Sequence, residues 1–161
     1  MATTSFQNVY DKFTSKITDD MYMELTEEDT IKLQKEILIS ALPLFEFPRV
    51  NIFDYSDTLE EFNVKLSLEE QNIIATYMIV EWLGQQLASV ENVRMKYSGS
   101  DFKFTSQANH MQKLQSLKKD YERMGFHLQR LYKRRRADVD GNIRSTFGQI
   151  MQPVKEAKYD N

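Results

Sequence analysis

From Ser67 to Ala88 the chain reads as a helix that is apolar on nearly every face. Ile73, Ile74, Tyr77, Met78, Val80, Trp82, Leu83 and Leu87 wrap most of its circumference, and between Glu70 and Glu91 only Glu81 is charged. Such a helix is stable in water only when other elements cover it, so it belongs at the centre of a bundle. Ser67-Leu68-Glu69-Glu70 opens it with a capping-box pattern: a hydroxyl for the exposed N–H groups, then an acid three residues on that reaches back.

A second long helix is predicted over Thr105–Arg136. Met111, Leu114, Leu117, Tyr121, Met124, Leu128 and Leu131 recur every three or four residues and form one narrow stripe, as in paired helices. Gly125 interrupts this pattern at a cost of up to about 1 kcal/mol against alanine, which suits close approach of a neighbour. Tyr97–Phe104 joins the two helices, with Phe102 and Phe104 alternating around Lys103. That segment is either packed back on the bundle or offered to a partner.

Upstream, Phe6, Val9, Tyr10, Phe13 and Ile17 predict a helix over Phe6–Thr18. Another starts at Thr26, where Thr26-Glu27-Glu28-Asp29 resembles a capping box, and ends near residues 42–45 because of Pro43 and Pro48. Residues 49–66 read as a long ordered connection carrying a short strand or a helical turn. Beyond Ala137 the periodicity stops. Residues 138–142 are turn-like, and Ile143–Asn161 is polar with isolated Ile143, Phe147, Ile150, Met151 and Val154. Such a tail is either disordered or orders on a partner. With only five glycines and three prolines in 161 residues, the expected class is all-α. The expected architecture is a small helical bundle with a long hairpin over about residues 67–136 and an extended C-terminal tail. The division is a bundle domain over 1–136 and a flexible tail over 137–161.

The net charge of −3 hides a strong asymmetry. Residues 1–70 carry 6 basic and 15 acidic side chains, whereas residues 105–136 carry 9 basic and 2 acidic ones. This pattern suggests copies packing flank to flank, an acidic partner, or simply two solvated faces.

Reactive chemistry finds little footing. Without cysteine there are no disulfides, thiolate ligands or cysteine nucleophile, which fits a reducing compartment. His110 and His127 lie 17 residues apart on one helix, about 25 Å at about 1.5 Å per residue, too far to share a metal. Asp19-Asp20 and Glu27-Glu28-Asp29 flank helix ends, where acids are favoured for structural reasons. Asp138-Val139-Asp140-Gly141-Asn142 has its glycine in the wrong place for a calcium loop. No phosphate-binding glycine loop or nucleophile elbow occurs. No enzyme activity, metal or cofactor is expected, and neither a secretory leader nor a membrane span is read from the sequence. The basic helix leaves open a small nucleic-acid-binding protein using residues 113–136.

The order of parts over residues 6–136 resembles the small head–tail connector, or adaptor, proteins of tailed bacteriophages. The carriers are FQNVYDKFTSKITD at residues 6–19, LSLEEQNIIATYMIVEWL at 66–83 and YSGSDFKFTSQANHMQKL at 97–114. The resemblance implies a virion protein, made in the host cytoplasm, that forms a closed ring of about twelve copies beneath the portal at the neck. It implies docking to the portal and to a stopper or tail-side neck protein, extension of the DNA channel with non-specific DNA contact, no membrane partner and no cofactor. The expected contact residues are Phe102, Lys103 and Phe104 on the loop; Lys133, Arg134, Arg135 and Arg136 at the helix end; and Ile143, Phe147, Ile150 and Met151 on the tail.

Overall fold

The computed structural model describes residues 3–17, 27–96, 104–137 and 143–145. Among these it is a small helical bundle. In chain order the elements are β1 (Thr4–Ser5), α1 (Gln7–Thr14), α2 (Glu27–Ala41), a 3₁₀ turn (Leu42–Leu44), β2 (Tyr55–Ser56), β3 (Glu61–Phe62), α3 (Leu68–Lys96), α4 (Phe104–Arg134), β4 (Arg135–Ala137) and β5 (Ile143–Ser145).

The capping box that opens α3 is formed. Ser67 N donates to Glu70 Oε2 at 2.7 Å, Glu70 N donates to Ser67 Oγ at 3.2 Å, and the Ser67 hydroxyl donates to the same carboxylate oxygen at 2.8 Å. Together they satisfy donors that a bare helix start would leave open. As its composition demands, α3 is the shared element: α1, α2 and α4 all pack on it, and Ile73 through Val80 are buried without interruption. It runs eight residues past Ala88, because Ser89–Lys96 contains no helix breaker.

Helix α1 is shorter than Phe6–Thr18. At its end the Thr14 hydroxyl donates back to the Tyr10 carbonyl at 2.9 Å and the Ser15 hydroxyl to the Lys12 carbonyl at 2.9 Å. Such bonds offer the backbone an alternative to further helix. Helix α2 ends as the prolines require, with Pro43 inside the closing 3₁₀ turn. The Thr26 cap expected before α2 lies outside the described residues.

The 49–66 connection carries two short strands. β1, β3 and β2 form a three-stranded antiparallel sheet in that order, with Phe62 opposite both Thr4 and Tyr55. Four rings close over it: Phe6 lies edge-on to Phe62 at 4.8 Å, to Tyr55 at 5.8 Å and to Tyr10 at 6.3 Å. The turn between β2 and β3 holds Glu60 at φ 52°, an uncommon conformation for a side-chain-bearing residue. It is pinned from both sides: Phe6 N donates to the Glu60 carbonyl at 2.9 Å, and Lys35 reaches Asp57 Oδ1 at 3.0 Å and Glu60 Oε1 at 3.4 Å.

α3 and α4 form the long hairpin, and their contact differs from the apolar stripe. Leu114, Tyr121 and Leu128 pack on the core, but Leu117 and Met124 are exposed. The places facing α3 belong instead to Lys118, Gly125, Gln129 and Tyr132. The cause is Tyr77. Its ring fills the space beside Gly125, where an added Cβ would come within 2.8 Å of two ring carbons. This rotates α4 so that the glycine, rather than the next leucine or methionine, meets the widest part of α3. Gly125→Ala is therefore expected to lower stability by about 1–3 kcal/mol despite a helix-propensity gain of about 1 kcal/mol. Urea unfolding of the two proteins measures it, and an alanine variant more stable than the parent would contradict this packing.

Candidate interaction surface

The last turn of α4 is latched to the first turn of α3 and to the segment after the 3₁₀ turn. The Tyr132 ring, 1% exposed, stands edge-on to Phe45 at 5.5 Å. Its hydroxyl donates to Glu70 Oε1 and accepts the Arg49 N–H at 3.1 Å. The buried Glu70 carboxylate thus serves the α3 cap with one oxygen and α4 with the other. One turn earlier on α4, Gln129 accepts the Glu46 N–H at 3.0 Å and donates to the Tyr77 hydroxyl at 2.6 Å. Each of these polar side chains is buried and satisfied, as burial requires.

Arg49 closes the latch. Its guanidinium lies 4.0 Å from the centre of the Tyr132 ring and donates to the carbonyls of Tyr132 and Arg135. Those carbonyls lie at the C-terminal end of α4, where a cation is favoured. Burial, first, and the hydrogen bond to Glu70, second, push the Tyr132 hydroxyl well above the ordinary tyrosine range, against the pull of Arg49. Burial, with Glu46 behind it, pushes Tyr77 up to about 12. Tyr10 is raised first by burial, then by Glu60 and Asp57.

The latch fixes which way the basic face of α4 points. Lys113, Lys119, Arg123 and Arg130 are exposed along it; Arg123 pairs with Asp120 at 3.5 Å and Lys118 with Glu122. Two exposed aromatic rings on this side lie near cations: Lys133 Nζ is 4.0 Å from the Phe47 ring centre, and the Arg130 guanidinium is 5.6 Å from that of Phe126. These contacts are worth about 0.5–1 kcal/mol each at exposed sites.

The sequence-predicted contact residues fare unevenly. Lys133 and Arg134 are exposed in the last turn of α4. Arg135 and Arg136 have left the helix for β4, which pairs antiparallel with β5, setting Arg136 opposite Arg144 and Ala137 opposite Ile143. Arg135 also reaches Glu69 at 3.4 Å. Phe104 is the first residue of α4 rather than part of a loop. Phe102, Lys103, Phe147, Ile150 and Met151 lie outside the described residues. Of these residues the structure brings Arg135 to Arg49, through its carbonyl, and Arg49 is a residue that sequence reasoning missed. Arg49 stands 83 residues before Tyr132 in the chain, and no local pattern links them. Gln129 and Tyr132 carried a signal: with Gly125 they recur at four and three residues, a helical spacing hidden by reading apolar residues alone.

Among the described residues no group of three or more His, Asp or Glu side chains converges as a metal site, and no helix is long and apolar enough to cross a membrane. His110 and His127 are both exposed. A shallow groove between α1 and the start of α3 is lined by Asn8, Asp11, Lys12, Ser15, Leu68 and Gln71, a mixed polar set open to solvent. Comparison with family models, with curated proteins and with solved structures returned no match.

Proposed function

We propose that the chain is a structural, non-enzymatic protein that works as a ring of identical copies. In this reading it is the head–tail connector of a tailed phage, joining the portal to a stopper or tail-side neck protein. The observation that carries the reading is the separation of charge over a stiff helical scaffold. Asp54, Asp57, Glu60 and Glu61 cluster on the β2–β3 hairpin, and Lys113, Lys119, Arg123 and Arg130 line the outer side of α4. The hairpin is held to Thr4 and Phe6 at the start of α1, and α1 and α4 meet α3 through different residues. Glu70, Tyr77 and Gly84, seven residues apart, meet α4, while Gln71 borders the groove beside α1. A body with unlike flanks suits head-to-tail repetition, which closes into rings. The resemblance of residues 6–136 to phage adaptors supplies the biological setting, and Phe147, Ile150 and Met151 supply apolar contacts for a partner above or below the ring.

Electron microscopy of the chain, alone and mixed with its portal, tests this. Closed rings or portal-bound rings are expected, and particles that stay monomeric under both conditions would sink the idea. A second reading rests on the exposed cations of α4 together with Lys133, Arg134 and Arg135: binding to nucleic acid through phosphate contacts. It requires tight association of the isolated chain with DNA that weakens steeply with salt, so a flat titration at low salt disposes of it.

A further inference from the structure

The apolar stripe along α4 is not used up by α3. Leu114, Tyr121 and Leu128 are partly buried against the core, whereas Leu117 and Met124 are 44% and 46% exposed. Their spacing of three and four residues makes one continuous flank beside the contact with α3. A helix pair buries both edges of such a stripe, and here one edge is left to water. Asp120, next to this edge, is engaged with Arg123 at 3.5 Å. The flank is a few side chains wide, far short of the roughly 20–30 residues a side of a standard protein–protein interface. It suits a short segment already tethered nearby.

The course of the chain supplies that segment. β4 follows α4 without a break, and β5 returns antiparallel to it, with Ser145 opposite Arg135. The chain therefore comes back to the end of α4 with residues 146–161 still to run. Phe147, Ile150 and Met151, outside the described residues, open that stretch. Met124 lies ten residues before Arg134, about 15 Å along a helix at about 1.5 Å per residue. Met151 lies six residues beyond Ser145, up to about 20 Å of chain at about 3.3 Å per residue. The segment is thus long enough to reach Met124 and short enough to stay beside it. We infer that Phe147, Ile150 and Met151 seat on the Met124 flank of α4 in the same copy. Tethering selects this occupant over a second copy: a segment on a short linker acts at an effective concentration of about millimolar, well above that of other copies at micromolar protein. The contact belongs to the single chain and goes beyond the ring reading. In the free chain it withholds from partners the side chains to which that reading gives contacts above or below the ring.

The chain contains no cysteine, so introduced pairs report without background. Met124→Cys with Met151→Cys, oxidised mildly at low micromolar concentration, is expected to close an internal bridge, seen as a faster-running monomer that dithiothreitol reverses. The control is Arg130→Cys with Met151→Cys. Arg130 is exposed on a different side of α4 and nearer the end that Ser145 adjoins, so a tail without a seat would bridge it at least as fast. The Met124 pair is expected to close on the order of tenfold faster than the Arg130 pair. Equal rates, or a faster Arg130 pair, overturn the contact. So do covalent dimers that grow with protein concentration, which would give the flank to a second copy. Independently, Met124→Glu, at a site half open to solvent, is expected to speed chymotrypsin cleavage after Phe147 on the order of tenfold, read by mass spectrometry, with the circular dichroism spectrum unchanged. Cleavage after Phe147 at the parent rate would mean that nothing was released, and the contact is then wrong. No portal enters either measurement, so both are read separately from ring formation.

Discussion

Tyr132→Ala is expected to destabilise the protein by about 3–5 kcal/mol, the range for deleting a large buried ring. Tyr132→Phe is expected to cost about 1–3 kcal/mol. The gap between the two variants separates packing from polar contact. Alanine leaves a cavity against Phe45 and removes the surface on which the Arg49 guanidinium rests. Phenylalanine keeps the ring but strands Glu70 Oε1 and the Arg49 N–H, both turned toward the missing hydroxyl. The Glu70 carboxylate would still be held by Ser67 through its N–H and hydroxyl, so the α3 cap should survive. Urea unfolding supplies the values. A cost below about 1 kcal/mol for the alanine variant would mean that α4 is not fastened at this end. The same variant bears on assembly, because loosening the last turn of α4 frees Lys133 and Arg134 from their fixed direction.

The latch also marks the limit of what could be read beforehand. Elements set by local chemistry were legible: the Ser67–Glu70 cap, the stop of α2 at its prolines, the apolar circumference of α3 and the hairpin with α4. What escaped depends on the third dimension. Leu117 and Met124 belong to the best apolar stripe in the chain, yet they face outward, because the volume of Tyr77 opposite Gly125 decides the rotation of α4. Lys118, Gln129 and Tyr132 take the inward places, two of them through buried hydrogen bonds that a hydrophobic pattern cannot register. The strands of residues 49–66 are two residues each and owe their position to the start of the chain, where Thr4 pairs with Phe62 and the Phe6 ring packs on Phe62 and Tyr55. The basic run at residues 133–136 was plain as charge, but its break into helix and strand reflects pairing with residues 143–145 and capping by Arg49.

Strong alkali is expected to unfold the protein, with a steep loss of stability above about pH 10. Three buried tyrosines, Tyr10, Tyr77 and Tyr132, have folded-state pKa values raised above the ordinary value of 10.0, Tyr77 to about 12 and the other two further. In the unfolded chain the same groups ionise near pH ~10. Above that pH the unfolded state holds fewer protons than the folded one, so stability falls as pH rises. It is fully present below the unfolded value and is lost as pH climbs through the folded ones. Each such group contributes a slope of about 1.4 kcal/mol per pH unit, hence about 4 kcal/mol per unit for the three together. Over the two units from about pH 10 to about pH 12 the loss reaches up to about 8 kcal/mol, enough to unfold a domain in the lower half of the ordinary range of about 5–15 kcal/mol. The charges facing these hydroxyls act in the same sense where they are acidic: Glu70 at Tyr132, Glu46 at Tyr77, and Glu60 and Asp57 at Tyr10. Arg49 opposes them at Tyr132. Lys35, raised first by its hydrogen bond to Asp57, also loses its contribution as it deprotonates, whereas Lys16, lowered first by burial, works the other way. Urea midpoints from pH 8 upward, read beside tyrosinate absorbance, measure the effect. Tyr132→Phe should flatten the slope by about one third. If all the tyrosines titrate near pH ~10 while the helical signal stays intact, these hydroxyls are not buried as described, and the fastening of α4 to α3 falls with them.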